Sequence, residues 1–137
     1  MSRSMNAHRL LTVVALVGAG TLALAGCVAK TDAAASDTLT VTSTADACEL
    51  SSSSAKSGTL AFEVRNEGSD VTEFYLLAED GRQIVGEAEN IAPGASRTLT
   101  VVAQPGKYYT VCKPGMTGDG VGRASFTVTG DRVAVEG

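Results

Sequence analysis

The chain has 137 residues, room for one domain of ordinary size, and its 11 bases and 15 acids give a formal net charge of −4. An acidic balance disfavours a polyanion partner such as nucleic acid. A single histidine excludes Ser-His-Asp and Cys-His nucleophilic catalysis of the usual kind, and a copper centre built on two imidazoles.

Arg3 and Arg9 precede an apolar stretch over residues 10–25 that is short for a membrane span. This predicts a secretory signal over residues 1–26. Its end, Leu24-Ala25-Gly26-Cys27, sets small residues before a cysteine and resembles a bacterial lipobox, which implies cleavage before Cys27 and acylation of that residue. Several acyl chains on one residue suffice for stable anchoring, so a lipid membrane is the first expected partner. The expected location is the outer face of the cell membrane or the periplasm. The one histidine, His8, falls in the leader and is lost with it. The leader also takes two bases, leaving nine against fifteen acids and a formal charge of −6.

Residues 28–37 are Ala-rich with few large apolar side chains, so 27–37 reads as a flexible tether to a domain over 38–137. Within that domain residues 38–42 (TLTVT), 60–64 (LAFEV), 98–101 (TLTV) and 124–128 (ASFTV) alternate between an apolar and a polar or small face. Residues 71–78 contain Phe74-Tyr-Leu-Leu77 without alternation, which predicts a strand covered on both sides. Turn signals at Asn66-Glu-Gly68, Glu79-Asp-Gly81, Pro93-Gly94, Pro105-Gly106, Pro114-Gly115 and Gly130-Asp131 separate the runs. Residues 51–54 fit either a weak edge strand or a loop. Short strands at this spacing, without a long amphipathic helix, predict an all-β Greek-key β-sandwich. Trp is absent, and Phe62, Phe74 and Phe126 are the largest apolar core pieces, so a covalent or metal staple would help so light a core.

Two features bear on chemistry. Between residues 67 and 89 stand seven acids, Glu67, Asp70, Glu73, Glu79, Asp80, Glu87 and Glu89, against one base, Arg82. Such a carboxylate field either attracts cations or keeps the surface solvated. Further on, a Pro105-Gly106 turn and an extended run over 108–111 deliver Cys112 to the point where a strand opens into a glycine-rich loop holding Pro114, Gly115 and Met116. Outside the membrane two uncommitted cysteines tend to oxidise, and a Cys48 to Cys112 bond would add about 4 kcal/mol through chain entropy. As thiolates the same residues, with the thioether of Met116, would suit Cu(I) or Zn(II). The residues leave both readings open, and Met116 equally serves as a plug at the loop end. A redox pair is disfavoured because no Cys-x-x-Cys or nearby histidine lowers a thiol pKa.

The spacing Pro105-Gly-Lys-Tyr108 to Cys112, followed by Pro114-Gly115 and Met116, resembles the ligand loop of cupredoxins, small copper-binding β-sandwiches. Many of these carry Asn-x-Gly and then His-Glu-Phe. Here Asn66-Glu-Gly68 is followed by Thr72-Glu73-Phe74, with Thr72 in place of the first histidine, and the second, expected in the Pro114-Gly115 loop, is missing as well, so the resemblance implies the fold without the electron-transfer site. Cys48-Glu49, Thr72-Glu73-Phe74, the run from Glu87 to Gly94 and Pro105 to Cys112 are closer still to the N-terminal cupredoxin-like domain of EfeO-type iron-uptake proteins, from Leu39 to about Thr129. That resemblance implies binding of iron or copper by Cys48, Glu73, Glu87 or Glu89, and Cys112. It departs at Thr110, where the family has Met, and at Tyr109, where it has Asp. The large C-terminal domain that often follows in the family is absent from the sequence, so an uptake role would need a partner.

These readings together predict a lipid-anchored extracytoplasmic protein that binds an iron or copper ion within an uptake or handling system. It would act by coordination and delivery, not as an enzyme, without haem or nucleotide, and with other iron-uptake components as partners. The candidate metal ligands are Cys48, Glu73, Glu87, Glu89, Cys112 and Met116. The alternative is a disulfide-stapled structural or interaction sandwich with no metal site.

Overall fold

The computed structural model describes residues 37–134. The leader over 1–26, acylation at Cys27 and the tether up to residue 36 lie outside the described residues. Nine strands and one 3-10 turn follow: β1 (Asp37–Ser43), β2 (Cys48–Leu50), β3 (Ser54–Lys56), β4 (Gly58–Asn66), β5 (Thr72–Leu77), β6 (Ile84–Ile91), β7 (Ser96–Ala103), β8 (Gly106–Cys112), the turn Pro114–Met116, and β9 (Val121–Thr129). The alternating runs of the sequence became β1, β4, β7 and β9, each somewhat longer than its run.

The strands form two sheets, ordered β2-β1-β4-β7 and β3-β9-β8-β5-β6. β1 runs parallel to β4 and β3 parallel to β9, while the other pairs are antiparallel. The chain crosses between sheets from β2 to β3 along one side and from β6 to β7 along the other. Both open sides of the sandwich are thereby bridged by consecutive strands.

Period-two alternation sends Leu39 and Val41 of β1 and Leu60, Phe62 and Val64 of β4 inward from the first sheet. They meet Phe74 and Leu76 of β5, Ala88 and Ile91 of β6, and Phe126 and Val128 of β9. Phe62 is the hub, its ring centroid 5.3 Å from that of Phe74 and 5.6 Å from that of Phe126. The three phenylalanines expected to dominate the core are the ones packed at its centre.

β5 is buried along its whole length, as the run Phe74-Tyr-Leu-Leu77 predicts, but its two faces are covered differently. Phe74 and Leu76 face the opposite sheet. Tyr75 and Leu77 face outward with Val111 and Tyr109, forming a small second cluster. No further sheet covers that cluster among the described residues. Long side chains do it instead: Lys113 Nζ lies 4.9 Å from the Tyr75 ring centroid and the Arg123 guanidinium 5.1 Å from that of Tyr109.

Asn66 ends β4 and explains the Asn-x-Gly pattern physically. It is 1% exposed. Its Nδ2 donates to the carbonyls of Asp70 (2.7 Å) and Ile91 (2.8 Å), and its Oδ1 accepts from the Gly68 N–H (2.9 Å). One side chain therefore pairs three backbone groups where the chain turns from β4 to β5 and where β6 ends.

Candidate functional site

Cys112 closes β8 opposite Phe74 of β5, so its side chain turns inward with Phe74. Cys48 opens β2, in the other sheet. The two are joined as a disulfide with Cα atoms 5.4 Å apart, and both are buried. Gly122 makes the approach feasible, since it holds a φ of +61° and a Cβ there would collide with the Cys48 backbone. Of the two readings of these cysteines, the structure holds the disulfide, and neither sulfur is a thiolate in this form.

Thr72, standing where cupredoxins place their first histidine, shares a buried 2.9 Å hydrogen bond with the Ser43 hydroxyl and ties β5 to β1. Thr110, at the position of the expected Met, is buried with its Oγ1 unpartnered among the described residues. Met116 is 42% exposed on the Pro114–Met116 turn, so it neither plugs the core nor meets the sulfurs.

The carboxylates go elsewhere. Glu73 is adjacent to Phe74 and so points the opposite way, away from the sandwich interior. Tyr75 Oη donates to Glu73 Oε2 at 2.6 Å, which satisfies a buried carboxylate with a hydrogen-bond donor. Glu87 of β6 pairs with Tyr75 and shares its face. The register then slips, so that Glu89 and Asn90 both stand opposite Glu73, with Asn90 at a positive φ of 55°. Pairing register thus gathers Glu73, Glu87 and Glu89 about Tyr75.

This departs from the expected convergence of Cys48, Cys112 and Met116 with Glu73, Glu87 and Glu89, and the reason is side-chain alternation. Neighbours along β5 project to opposite faces, so the sulfurs lie on the inner side of the five-stranded sheet and the carboxylates on the outer side. Among the described residues no group of three or more His, Cys, Asp or Glu is spaced to hold a metal ion.

The Tyr75 phenol is held well above the usual phenol range, first by burial, then by its hydrogen bond to Glu73, and then by the negative charges of Glu73, Glu87 and Glu89. A folded-state pKa raised above the unfolded value stabilises the fold fully below the unfolded pKa, and that contribution drains away as pH rises beyond it. Above the ordinary phenol pKa of about 10 the wild type should therefore lose stability through this residue as the pH rises further. Urea unfolding between pH 9 and pH 11, values set about the ordinary phenol pKa of roughly 10, should show a steeper alkaline loss in the wild type than in Tyr75→Phe. Parallel curves would remove Tyr75 as the cause.

Beside Tyr75 the outer face sinks into a cleft of about 310 Å³ lined by Tyr75, Leu77, Gly81, Arg82, Ile84, Val111, Lys113, Asp119 and Arg123. Sequence reasoning missed Tyr75, Lys113 and Arg123 as site residues. They come from three different strands or strand ends, and each looks in isolation like a core aromatic or a lone surface base.

The sequence matches the family described as cupredoxin-like domain over residues 14–122. It is 36% identical over 72 residues to the iron uptake system component EfeO of Escherichia coli, an overlap of 53% of this chain and 19% of that protein. The match thus spans about a fifth of the length of the curated relative. Among solved structures, the reduced auracyanin of Roseiflexus castenholzii superposes with a TM-score of 0.53 at 19% identity, covering 70% of this chain and 99% of that one. An azurin of Methylomonas sp. strain J gives 0.51 at 11% identity, covering 70% and 100%. At these identities the likeness to both is one of fold.

Proposed function

This chain belongs to the cupredoxin-like domain family, and from that premise we propose that it is an extracytoplasmic metal-handling domain of the iron-uptake kind, anchored to a membrane through acylated Cys27. It binds its ion through oxygen donors and passes it to another uptake component, without catalysing a reaction. The observation that carries this reading is the gathering of Glu73, Glu87 and Glu89 about the Tyr75 phenol on one sheet face. Carboxylates and a phenol are hard donors and suit ferric iron. Copper is the weaker choice, because both cysteines are spent in the disulfide and the described residues include no histidine.

The donor set is open, which leaves coordination positions for water, a chelator or a partner. In equilibrium dialysis against ferric ion, the wild type should retain iron and the Glu73→Ala, Glu89→Ala double variant should bind at least about tenfold more weakly. Equal retention would favour the second reading, a disulfide-stapled interaction module. The lack of a closed ligand cluster among the described residues speaks for that reading.

A further inference from the structure

The outer cleft reverses the charge of the protein around it. Arg82, Lys113 and Arg123 line it against one acid, Asp119, in a chain whose acids outnumber its bases. Among the described residues none of these three cations makes an ion pair. Among the described residues the one ion pair is Arg65 with Glu67, at 3.2 Å and away from the cleft. Asp80, the neighbour of Arg82 on the preceding turn, gives its Oδ1 to the backbone N–H groups of Arg82 and Gln83, both at 2.9 Å. It shapes the turn that carries Arg82, and although its charge is felt by the guanidinium the two make no ion pair.

The other two cations are positioned by aromatic rings. Lys113 lies over Tyr75, and Arg123 lies over Tyr109 while donating to the Gly81 carbonyl. Lys113 is also the direct cross-strand neighbour of Glu73, their backbones exchanging two hydrogen bonds, yet its ammonium turns to the cleft wall and makes no ion pair there. The floor, from Tyr75, Leu77 and Val111, is apolar and buried, and Ile84 stands 51% exposed at the rim.

An apolar floor ringed by unpaired cations is complementary to an anion carried on a carbon frame. The volume lies at the lower end of small-ligand sites, too small for a folded partner. We propose that this cleft is a binding site for a small organic polycarboxylate, its carboxylates taken by Arg82, Lys113 and Arg123 and its frame resting on Tyr75, Leu77 and Val111. The site stands independently of the metal reading, with Tyr75 as the wall it shares with the carboxylate cluster.

The test is an amide chemical-shift titration of the full chain with citrate, in buffer freed of metal ions on a chelating resin. Saturable shifts are expected at Tyr75, Leu77, Val111 and Arg123. The Arg82→Gln, Lys113→Gln double variant should bind at least about tenfold more weakly while losing no more than about 8 °C in melting temperature, the worth of the Lys113 contact with Tyr75, and inorganic phosphate should bind more weakly than citrate. The Glu73→Ala, Glu89→Ala variant, which removes two negative charges beside Tyr75, should bind citrate at least as tightly as the wild type, so that iron binding can be lost there while this site is kept. Absence of saturable shifts, equal affinity in the Arg82→Gln, Lys113→Gln variant, or phosphate binding as well as citrate would each overturn the proposal.

Discussion

Replacing Cys48 and Cys112 together by Ala should lower stability by about 4 kcal/mol and the melting temperature by on the order of 20 °C. The bond closes a loop of 64 positions in sequence and links β2 of one sheet to the end of β8 in the other. Cross-linking across so long a loop restricts the unfolded chain more than a local bridge would. The core offers little reserve, with three phenylalanines at its centre and no Trp. Since both sulfurs are buried, reductant should act slowly on the folded protein and quickly once it is partly unfolded. Thermal melts of the oxidised wild type, the reduced wild type and the double variant provide the check. Melting points for all three within about 4 °C of one another, a difference worth no more than roughly 1 kcal/mol, would show that the bond carries little stability.

Asn66→Ala should cost about 3 kcal/mol, because it leaves the Asp70 and Ile91 carbonyls and the Gly68 N–H without their partner at a site that is 1% exposed. Asn66→Asp separates the contributions. It keeps the acceptor for Gly68 but removes both donors and sets a carboxylate against two carbonyl oxygens. That variant should be at least as unstable at neutral pH and should recover as the pH falls, because a protonated carboxyl regains one donor. Urea unfolding measures both variants. A loss below about 1 kcal/mol for Asn66→Ala would mean that water replaces the side chain without penalty.

The readability of the fold followed the regularity of the strands. Where one face met the opposite sheet and the other met solvent, as in β1, β4 and β9, alternation was visible in residues such as Leu39, Phe62 and Phe126. Three strands left no such trace. β2 and β3 have three residues each, too few to show a period. β6 exposes Ile84 and Val85 and is broken at Asn90 by a slipped register, so its pattern reads as loop. The acids could be marked as a group from sequence because they crowd one segment. Which face each occupied depended on pairing Phe74 with Cys112 and Tyr75 with Glu87, and register between distant strands is not written in local composition. The cationic cleft was invisible for the same reason, since Arg82, Lys113 and Arg123 are far apart in sequence.

β6 lies at the rim of its sheet with eight residues, long enough to recruit a matching strand from a neighbouring molecule. Its exposed Glu87 and Glu89 and the kink at Asn90 oppose that. Two copies meeting rim to rim would bring like charges together along a bent ladder. An edge of this kind resists strand addition by a second copy of the chain.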